Sequence, residues 1–462
     1  MVRTRIAPSP TGKPHIGTIY QALFNYSFAK KHQGEFIVRI EDTDRLRFVE
    51  GAEEVIFDSL DWFALIENES ARKGGEYGPY RQSERLELYH TYAQELIDKD
   101  KAYFAYYKKE ESGKRNDYDK NPQVRIITQT DEKPPKTIKE MIERGNWIVR
   151  MRVPRDKKVS FIDEIRGEVS FEPDQISEQV IIKSDGYPTY HLAVVVDDHL
   201  MKITHVVRAE EWISSTPKHV LLYRYFGWDL PKFYHTPDLR NPDKSKLSKR
   251  HGHTDVTWYR EEGFLPQAIL NFLGLMGWTH PEEKEIFPLD EFIGLFDLKD
   301  IRAVGPIFDL TKLTWMNGEY IRALSIDELA NVIKDYYANT EVSFASLDEE
   351  KFKKIVVLAQ SRIDTLKQFE PLIKHFFPKS PFYTSSKEDK AIAKSLQEEF
   401  ENVSEWKAEA ILEVLRTVLK RHSIRMPVLY TIITGQERGL PLPESLEILG
   451  KEEVLSRLQK IV

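Results

Sequence analysis

The sequence predicts an α/β chain in which a parallel-sheet domain is split by an α/β insertion and followed by an all-helical region. Three observations carry this: a strand-helix-strand pattern over residues 2 to 41, short alternating runs after residue 85, and helical periodicity with little β-pattern after about residue 255. The expected boundaries are 1–84 and 190–240 for the two halves of the sheet domain, 85–189 for the insertion, 241–322 for a region opening on a basic loop, and 323–462 for the helical remainder.

Residues 2 to 6 read as a strand, and Ile19, Ala22, Leu23 and Tyr26 follow at the spacing of a helix with one buried face, which Gly34 ends. "EFIVRI" (35–40) is the second strand, and the right-handed crossover rule makes it parallel to the first. "SERLELYHTYAQELIDKD" then reads as helix, residues 108–137 as a polar stretch rich in Lys, Asp and Pro, and "WIVRMRV" and "GEVSF" as strands of the insertion. The sheet pattern resumes with "LAVVVDD" (192–198) and "ITHVVRAEEW" (203–212), followed by a helix with Thr216 as N-cap and Pro217 at its first position. "LPQAILNFLGLMGW" and "KAEAILEVLRTVLKRH" are helical, and there is no internal repeat or low-complexity tract.

At 462 residues, with 41% apolar and 31% charged residues, the composition is that of a soluble chain with more than one core. The start, "MVRTRIAPSP", has no apolar run of secretory length and no later stretch has membrane-spanning length, so a cytoplasmic protein without membrane contact is expected. The absence of cysteine excludes disulfides, thiolate catalysis and cysteine zinc sites. A net charge of -7 gives no global attraction to nucleic acid, so any RNA must be held by local basic patches.

"RIAPSPTGKPHIGT" (5–18) lies at the carboxyl end of the first strand, where open α/β sheets bind ligands. A P-loop is ruled out: Ala7 stands where its glycine belongs, Pro14 follows the lysine, and Pro8, Pro10 and Pro14 lack the amides a phosphate cradle uses. His15 and the amides near Gly17 and Thr18 instead meet the positive end of a helix, and Gly17 lets a flat ring approach the backbone. Four such residues alone would favour an ordinary polar turn with a surface histidine. The loop "DKSKLSKRHGH" (243–253) changes the balance, because its lysines follow the second half of the split sheet and could close on a triphosphate.

"HIGT" (15–18) and "KLSKR" (246–250) resemble the paired signatures of class I aminoacyl-tRNA synthetases. With "RIAPSPTG", "IEDTD" (40–44), "DGYPTYHLA" (185–193) and "RAEEW" (208–212), the whole chain resembles the bacterial-type glutamyl-tRNA synthetases in order and spacing. The resemblance implies a Rossmann-like catalytic domain, an acceptor-stem-binding insertion, a stem-contact region carrying the KLSKR loop and an α-helical anticodon-binding region. It implies ATP-dependent conversion of glutamate to glutamyl-adenylate and transfer to the 3'-terminal adenosine of tRNA(Glu), with Mg2+ arriving on the nucleotide. His15, Gly17, Lys246 and Lys249 would surround ATP, with His15 and the two lysines serving catalysis.

For a dianionic amino acid, two separated arginines at strand ends are suitable anchors, and Arg5 and Arg208 stand at such ends. The resemblance puts both near the side-chain carboxylate, Tyr190 beside them, Glu41 on the amino group and Ser9 facing the substrate. Taken singly, each also reads as a structural ion pair at a strand end. Glutamine-specific relatives lack arginine at the position of Arg208, so its presence argues for glutamate. Val194 stands where some members have an asparagine, and Ala105 and Tyr107 stand where others have zinc-binding cysteines, so no structural zinc is expected.

A noncatalytic RNA-binding paralogue would tolerate loss of His15 or the lysines, and all are present. A small-molecule adenylyltransferase or a truncated tRNA-modifying enzyme would have no use for the helical residues after the lysine loop. Arg362, in "SRIDTL" (361–366), falls where glutamate-only members place an arginine on the third anticodon base; it could also cap a helix or pair with Asp364. The alternative partner is tRNA(Gln), charged by a non-discriminating form, and a monomer is expected.

Overall fold

The structure, a computed structural model, describes residues 1–106, 130–247, 254–340, 342, 344, 347–377 and 386–462. Tyr107, Lys249 and Arg250 lie outside the described residues. The chain divides into one unit of Met1–Trp258 with Leu270–Asp309 and a second of Tyr259–Ile269 with Leu310–Val462.

In the first unit, β1 (Arg3–Ile6), β2 (Glu35–Val38) and β3 (Glu69–Ser70) are parallel, with Arg3 opposite Glu35 and Ile6 opposite Val38. The crossover from β1 to β2 is α1 (Ile16–Lys31), as the strand-helix-strand pattern predicts. Burial extends around α1 beyond the expected single face, with Ile16, Tyr20, Phe24 and Phe28 all buried, and Tyr26 is only partly so. Phe24 is covered from the far side by Phe296, with ring centroids 5.1 Å apart.

The insertion carries two sets of strands. β4 (Ala102–Tyr106), β5 (Trp147–Met151) and β8 (Val180–Ile182) form their own antiparallel sheet. β6 (Val159–Asp163) and β7 (Gly167–Phe171) instead join β10 (Lys232–Thr236) and β9 (His205–Ala209), in the order β7-β6-β10-β9. Thus part of segment 85–189 completes the sheet of the flanking segment, a pairing invisible to local pattern. Among the described residues, α2 (Ala52–Trp62), α3 (Leu86–Asp98) and α4 (Ile138–Arg144) are the α-helices between α1 and β5.

"LAVVVDD" is not a strand. It lies in α5 (Tyr190–Leu200), where Leu192 to Asp198 are all buried. A short continuous apolar run has the same appearance in a buried strand and a buried helix, so periodicity could not separate them. Thr216 is likewise the first residue of α6 (Thr216–Phe226), with Ser215 as N-cap and Pro217 at the second position; the cap is displaced by one residue.

β1 and β9 run side by side: Thr204 N–H donates to the Arg3 carbonyl (3.0 Å), while Arg5 Nη1 reaches the Val207 carbonyl (3.4 Å). Across the sheet the succession is therefore β3-β2-β1-β9-β10-β6-β7, and the direction of winding reverses between β1 and β9. That reversal opens a crevice at the carboxyl ends of the strands.

The rest of the chain is helical, with no strand after Thr236 among the described residues. α7 (Val256–Glu261), α8 (Pro266–Gly277) and α9 (Leu289–Leu295) lead to α10 (Leu310–Ala323), α11 (Ile326–Tyr337), α12 (Glu349–Gln360) and α13 (Phe369–Ile373). In the second unit, Ile321, Ile333, Phe352, Ile355 and Phe369 form one core. A second core is built from α14 (Lys387–Glu401), α15 (Ala408–His422), α16 (Met426–Thr434), α17 (Leu442–Leu449) and α18 (Lys451–Gln459) around Leu396, Leu415 and Leu446. Capping boxes of Ser325 with Glu328 and of Ser386 with Asp389 start α11 and α14. No helix among the described residues is long and apolar enough to cross a membrane.

Candidate active site

The opening prolines, which have no amide to donate, contribute their carbonyls. Pro8 accepts from Glu41 N–H (3.0 Å), Pro10 from Val49 N–H (3.0 Å) and Pro14 from Val256 N–H (3.1 Å). Each bond pins the motif to a different segment, so the path from β1 to α1 is held rigid. Ser9 is exposed on that path.

His15 caps α1: its Nδ1 accepts the Gly17 N–H at 2.9 Å. In the neutral ring the proton must then sit on Nε2. Glycine suits the same contact, because a Cβ at position 17 would lie only 3.0 Å from His15 Nδ1 and press on the cap. Ile16 N–H donates to the Thr254 carbonyl (2.7 Å), and Lys13 pairs with Asp255 at 3.0 Å. The chain leaving the lysine loop is thereby fastened to the start of α1, which joins two motifs more than 200 residues apart. On the loop's entry side, Lys246 pairs with Glu211 and, at 3.2 Å, with Asp238. Burial disfavours its charge, but the two carboxylates prevail and hold its pKa above the ordinary lysine value.

Arg5 and Arg208 both reach the crevice between β1 and β9, but in different states. Arg5 donates to Asp198 through Nε (3.0 Å) and Nη2 (3.2 Å). Asp198 also accepts from Arg39 (2.8 Å), whose Nη2 donates to Glu41 (3.2 Å). Asp197, beside it, accepts from Arg85 (2.7 Å), Gln82 (2.9 Å) and Tyr89. Burial raises the pKa of Glu41 to about 7 against the opposing pull of Arg39 and Arg5. At Arg5 the ion-pair alternative is realised, because its fork is occupied by Asp198.

Arg208 is buried, and all its partners are neutral. Nε donates to His235 Nε2 (3.1 Å), Nη2 to Thr216 Oγ1 (2.9 Å) and His219 Nδ1 (3.1 Å), and Nη1 to the Tyr190 hydroxyl (3.0 Å). No carboxylate among the described residues pairs with it. Tyr190 is set against Trp212, with ring centroids 4.2 Å apart. The crevice thus gathers the guanidiniums of Arg5, Arg39, Arg85 and Arg208 against the carboxylates of Glu41, Asp197 and Asp198, an excess of cation. An anionic group is what would balance it.

The sequence reading missed Asp198, Arg39, His219 and His235. The adjacent acids at the end of "LAVVVDD" were the available signal, since two carboxylates closing an apolar run need buried cationic partners. In the second unit, Arg362 is exposed, and Asp364 pairs with Arg322 (3.2 Å).

The chain matches a model of the class I tRNA synthetase (E and Q) catalytic domain over residues 1–315 and one of an anticodon binding domain over residues 326–462. It is 45% identical to a glutamate–tRNA ligase of Thermus thermophilus, with 100% of this chain and 99% of that protein aligned. A glutamate–tRNA ligase of Pseudomonas syringae pv. syringae is 41% identical over 99% of this chain and 94% of its own. Among solved structures, a glutamate tRNA ligase from Elizabethkingia meningosepticum in complex with its amino acid is similar, with a TM-score of 0.81 and 35% identity, covering 100% of this chain and 99% of that one.

Proposed function

The chain belongs to the class I tRNA synthetases of the glutamate and glutamine group, and on that premise we propose that it is a glutamate–tRNA ligase acting in the cytoplasm. The glutamate α-carboxylate attacks the α-phosphate of ATP, giving glutamyl-adenylate and pyrophosphate. A ribose hydroxyl of the tRNA's terminal adenosine then attacks the activated carbonyl and AMP departs. Neither step needs a nucleophile from the protein, so its task is positioning and charge stabilisation.

Each residue has a role suited to its surroundings. His15 presents Nε2–H and the start of α1 its amides to the nucleotide, with Gly17 keeping that surface clear. Lys246 and Lys249 serve the phosphates, Lys246 exchanging Glu211 and Asp238 for them. Arg208 and Tyr190 take the side-chain carboxylate, Glu41 the amino group, and Ser9 lines the entrance. Arg5 orders Asp198 and adds its charge to the crevice. Mg2+ would arrive on the nucleotide phosphates. The insertion would then contact the acceptor stem and residues 323–462 the anticodon.

The observation that most supports glutamate is Arg208, a buried guanidinium with neutral partners alone. An amide substrate would leave that charge unbalanced. The test is ATP-pyrophosphate exchange with glutamate and with glutamine, each with and without tRNA. Exchange with glutamate in the presence of tRNA is expected. Absence of exchange under that condition, or equal exchange with glutamine, refutes the proposal.

A further inference from the structure

We propose that His219 and His235 are positioning residues that hold Arg208 through neutral acceptors, and that their neutrality sets the preference for an acid over an amide in the amino-acid pocket. The inference rests on the reading of Arg208 as the anchor of the substrate's side-chain carboxylate.

Arg208 fixes the tautomers of the two histidine rings that face it. A guanidinium only donates, so His235 Nε2 and His219 Nδ1, at 3.1 Å each, must both be unprotonated. In His235 the proton therefore lies on Nδ1, which donates to Asp163 Oδ2 at 2.6 Å. In His219 it lies on Nε2, which donates to His191 Nδ1 at 3.1 Å. Asp163 in turn accepts the backbone amides of Ile165 (3.1 Å) and Arg166 (2.9 Å), so its orientation is fixed as well. Each ring accepts on the side facing Arg208 and donates on the other. Thr216 Oγ1 accepts from Arg208, and its single proton has two acceptors in reach, the Trp212 carbonyl at 2.9 Å and His235 Nε2 at 3.1 Å.

Arginine has five N–H donors. Nε takes one, Nη2 spends two on Thr216 and His219, and Nη1 spends one on Tyr190, leaving one Nη1 N–H among the described residues. The ring acceptors and hydroxyls orient the guanidinium without a direct carboxylate contact, the charge of Asp163 being held one ring away behind His235. Compare Arg5, whose orientation comes from a carboxylate, Asp198, that it shares with Arg39. Burial keeps the rings neutral: His219 is pushed well below the usual histidine value and His235 down to about 4. Protonation of either would turn an acceptor into a donor and place two cations against each other.

The experiment compares isosteric pairs that differ only in charge. His219→Asn offers Arg208 a neutral oxygen where Nδ1 stands, and His219→Asp offers a carboxylate there. In aminoacylation at saturating ATP and tRNA, His219→Asn should keep the KM for glutamate within about threefold of wild type. His219→Asp should raise it at least tenfold with kcat nearly unchanged, and should lower the glutamate-to-glutamine selectivity by a similar factor. If the His219 variants do not fold, Thr216→Asn and Thr216→Asp repeat the comparison from the other side of Nη2. Equal KM and equal selectivity in the Asn and Asp variants would overturn the inference alone. A wild type that does not charge tRNA with glutamate would overturn the functional reading, and this inference with it.

Discussion

Arg5 and Asp198 form a two-bonded buried pair, Nε to Oδ1 at 3.0 Å and Nη2 to Oδ2 at 3.2 Å, that ties β1 to α5. Asp198 also holds Arg39 (2.8 Å), so one carboxylate ties β1 and the residue that follows β2 to one helix. Burial would raise its pKa, but Arg5 and Arg39 outweigh burial and keep it below the ordinary aspartate value. Removing one partner of a buried pair leaves an uncompensated charge, which costs about 3 to 5 kcal/mol. Asp198→Asn should therefore lower the free energy of urea unfolding by that amount; a loss below ~1 kcal/mol would show that the pair is dispensable.

The local part of this architecture was legible in the sequence, and the long-range part was not. The pattern around Ile19, Ala22 and Leu23 marks α1, and its place between two β-rich runs gives the parallel pair. "LAVVVDD" misleads because a helix buried on all sides has lost the polar face that marks its period. The partners of Arg208 lie on α5 (Tyr190), α6 (Thr216 and His219) and β10 (His235); helical spacing links Thr216 to His219, but no spacing rule connects the three elements. Arg5 and Arg208 look alike as arginines near strand ends. Only the structure separates the one paired with a carboxylate from the one held by neutral groups.

Arg208→Cys should reduce kcat/KM for glutamate severely. A buried hydrogen bond to a charged group is worth ~1.5 to 3 kcal/mol and 1.4 kcal/mol is tenfold, so a loss of about 100-fold is the expected scale. Arg208→Lys should recover only part of it, because an ammonium cannot span His235, Thr216 and Tyr190 at once. Steady-state kinetics in glutamate give the answer; unchanged efficiency in the cysteine variant rules Arg208 out as the anchor.

Lys249→Ala should slow adenylation far more than it weakens ATP binding. The chain after the lysine loop is bound to the start of α1, where Ile16 N–H donates to the Thr254 carbonyl. A lysine that serves the phosphates acts mainly on charge that develops during transfer. Single-turnover rates and ATP titration separate the two effects, and a weakened affinity with an intact rate constant would contradict this role.

Stability should fall between pH 7 and pH 5, before most carboxylates titrate. Burial lowers His235 and His375 to about 4 and His191 to about 3, so in this range the unfolded chain binds protons that the folded one refuses. Where the unfolded state binds more protons, stability rises with pH, and acidification removes it. For His235 or His375 the complete shift corresponds to roughly 3 kcal/mol. Glu41 acts in the opposite sense, because its pKa is raised to about 7 by burial, but it is one group against several. Urea midpoints at the two pH values test this, and an equal or higher midpoint at pH 5 would contradict it.

Arg362 bears on which tRNA is charged. It is exposed at the end of α12, where its backbone N–H donates to the Ala359 carbonyl at 2.8 Å. The competing use of its side chain, an ion pair with Asp364, is met instead by Arg322 at 3.2 Å. Cytosine, the third anticodon base of tRNA(Glu), presents acceptors on its pairing edge. Guanine, in tRNA(Gln), presents two donors beside one carbonyl, and arginine has only donors. Arg362 should favour cytosine, and a base contact of this kind discriminates by about 1 to 3 kcal/mol. The wild type is therefore expected to charge tRNA(Glu) in preference to tRNA(Gln), and Arg362→Gln, which can both donate and accept, should bring the two efficiencies closer by about tenfold or more. Measuring kcat/KM on both transcripts decides it. A wild type that charges them equally would refute the assignment, as would a variant whose ratio does not move.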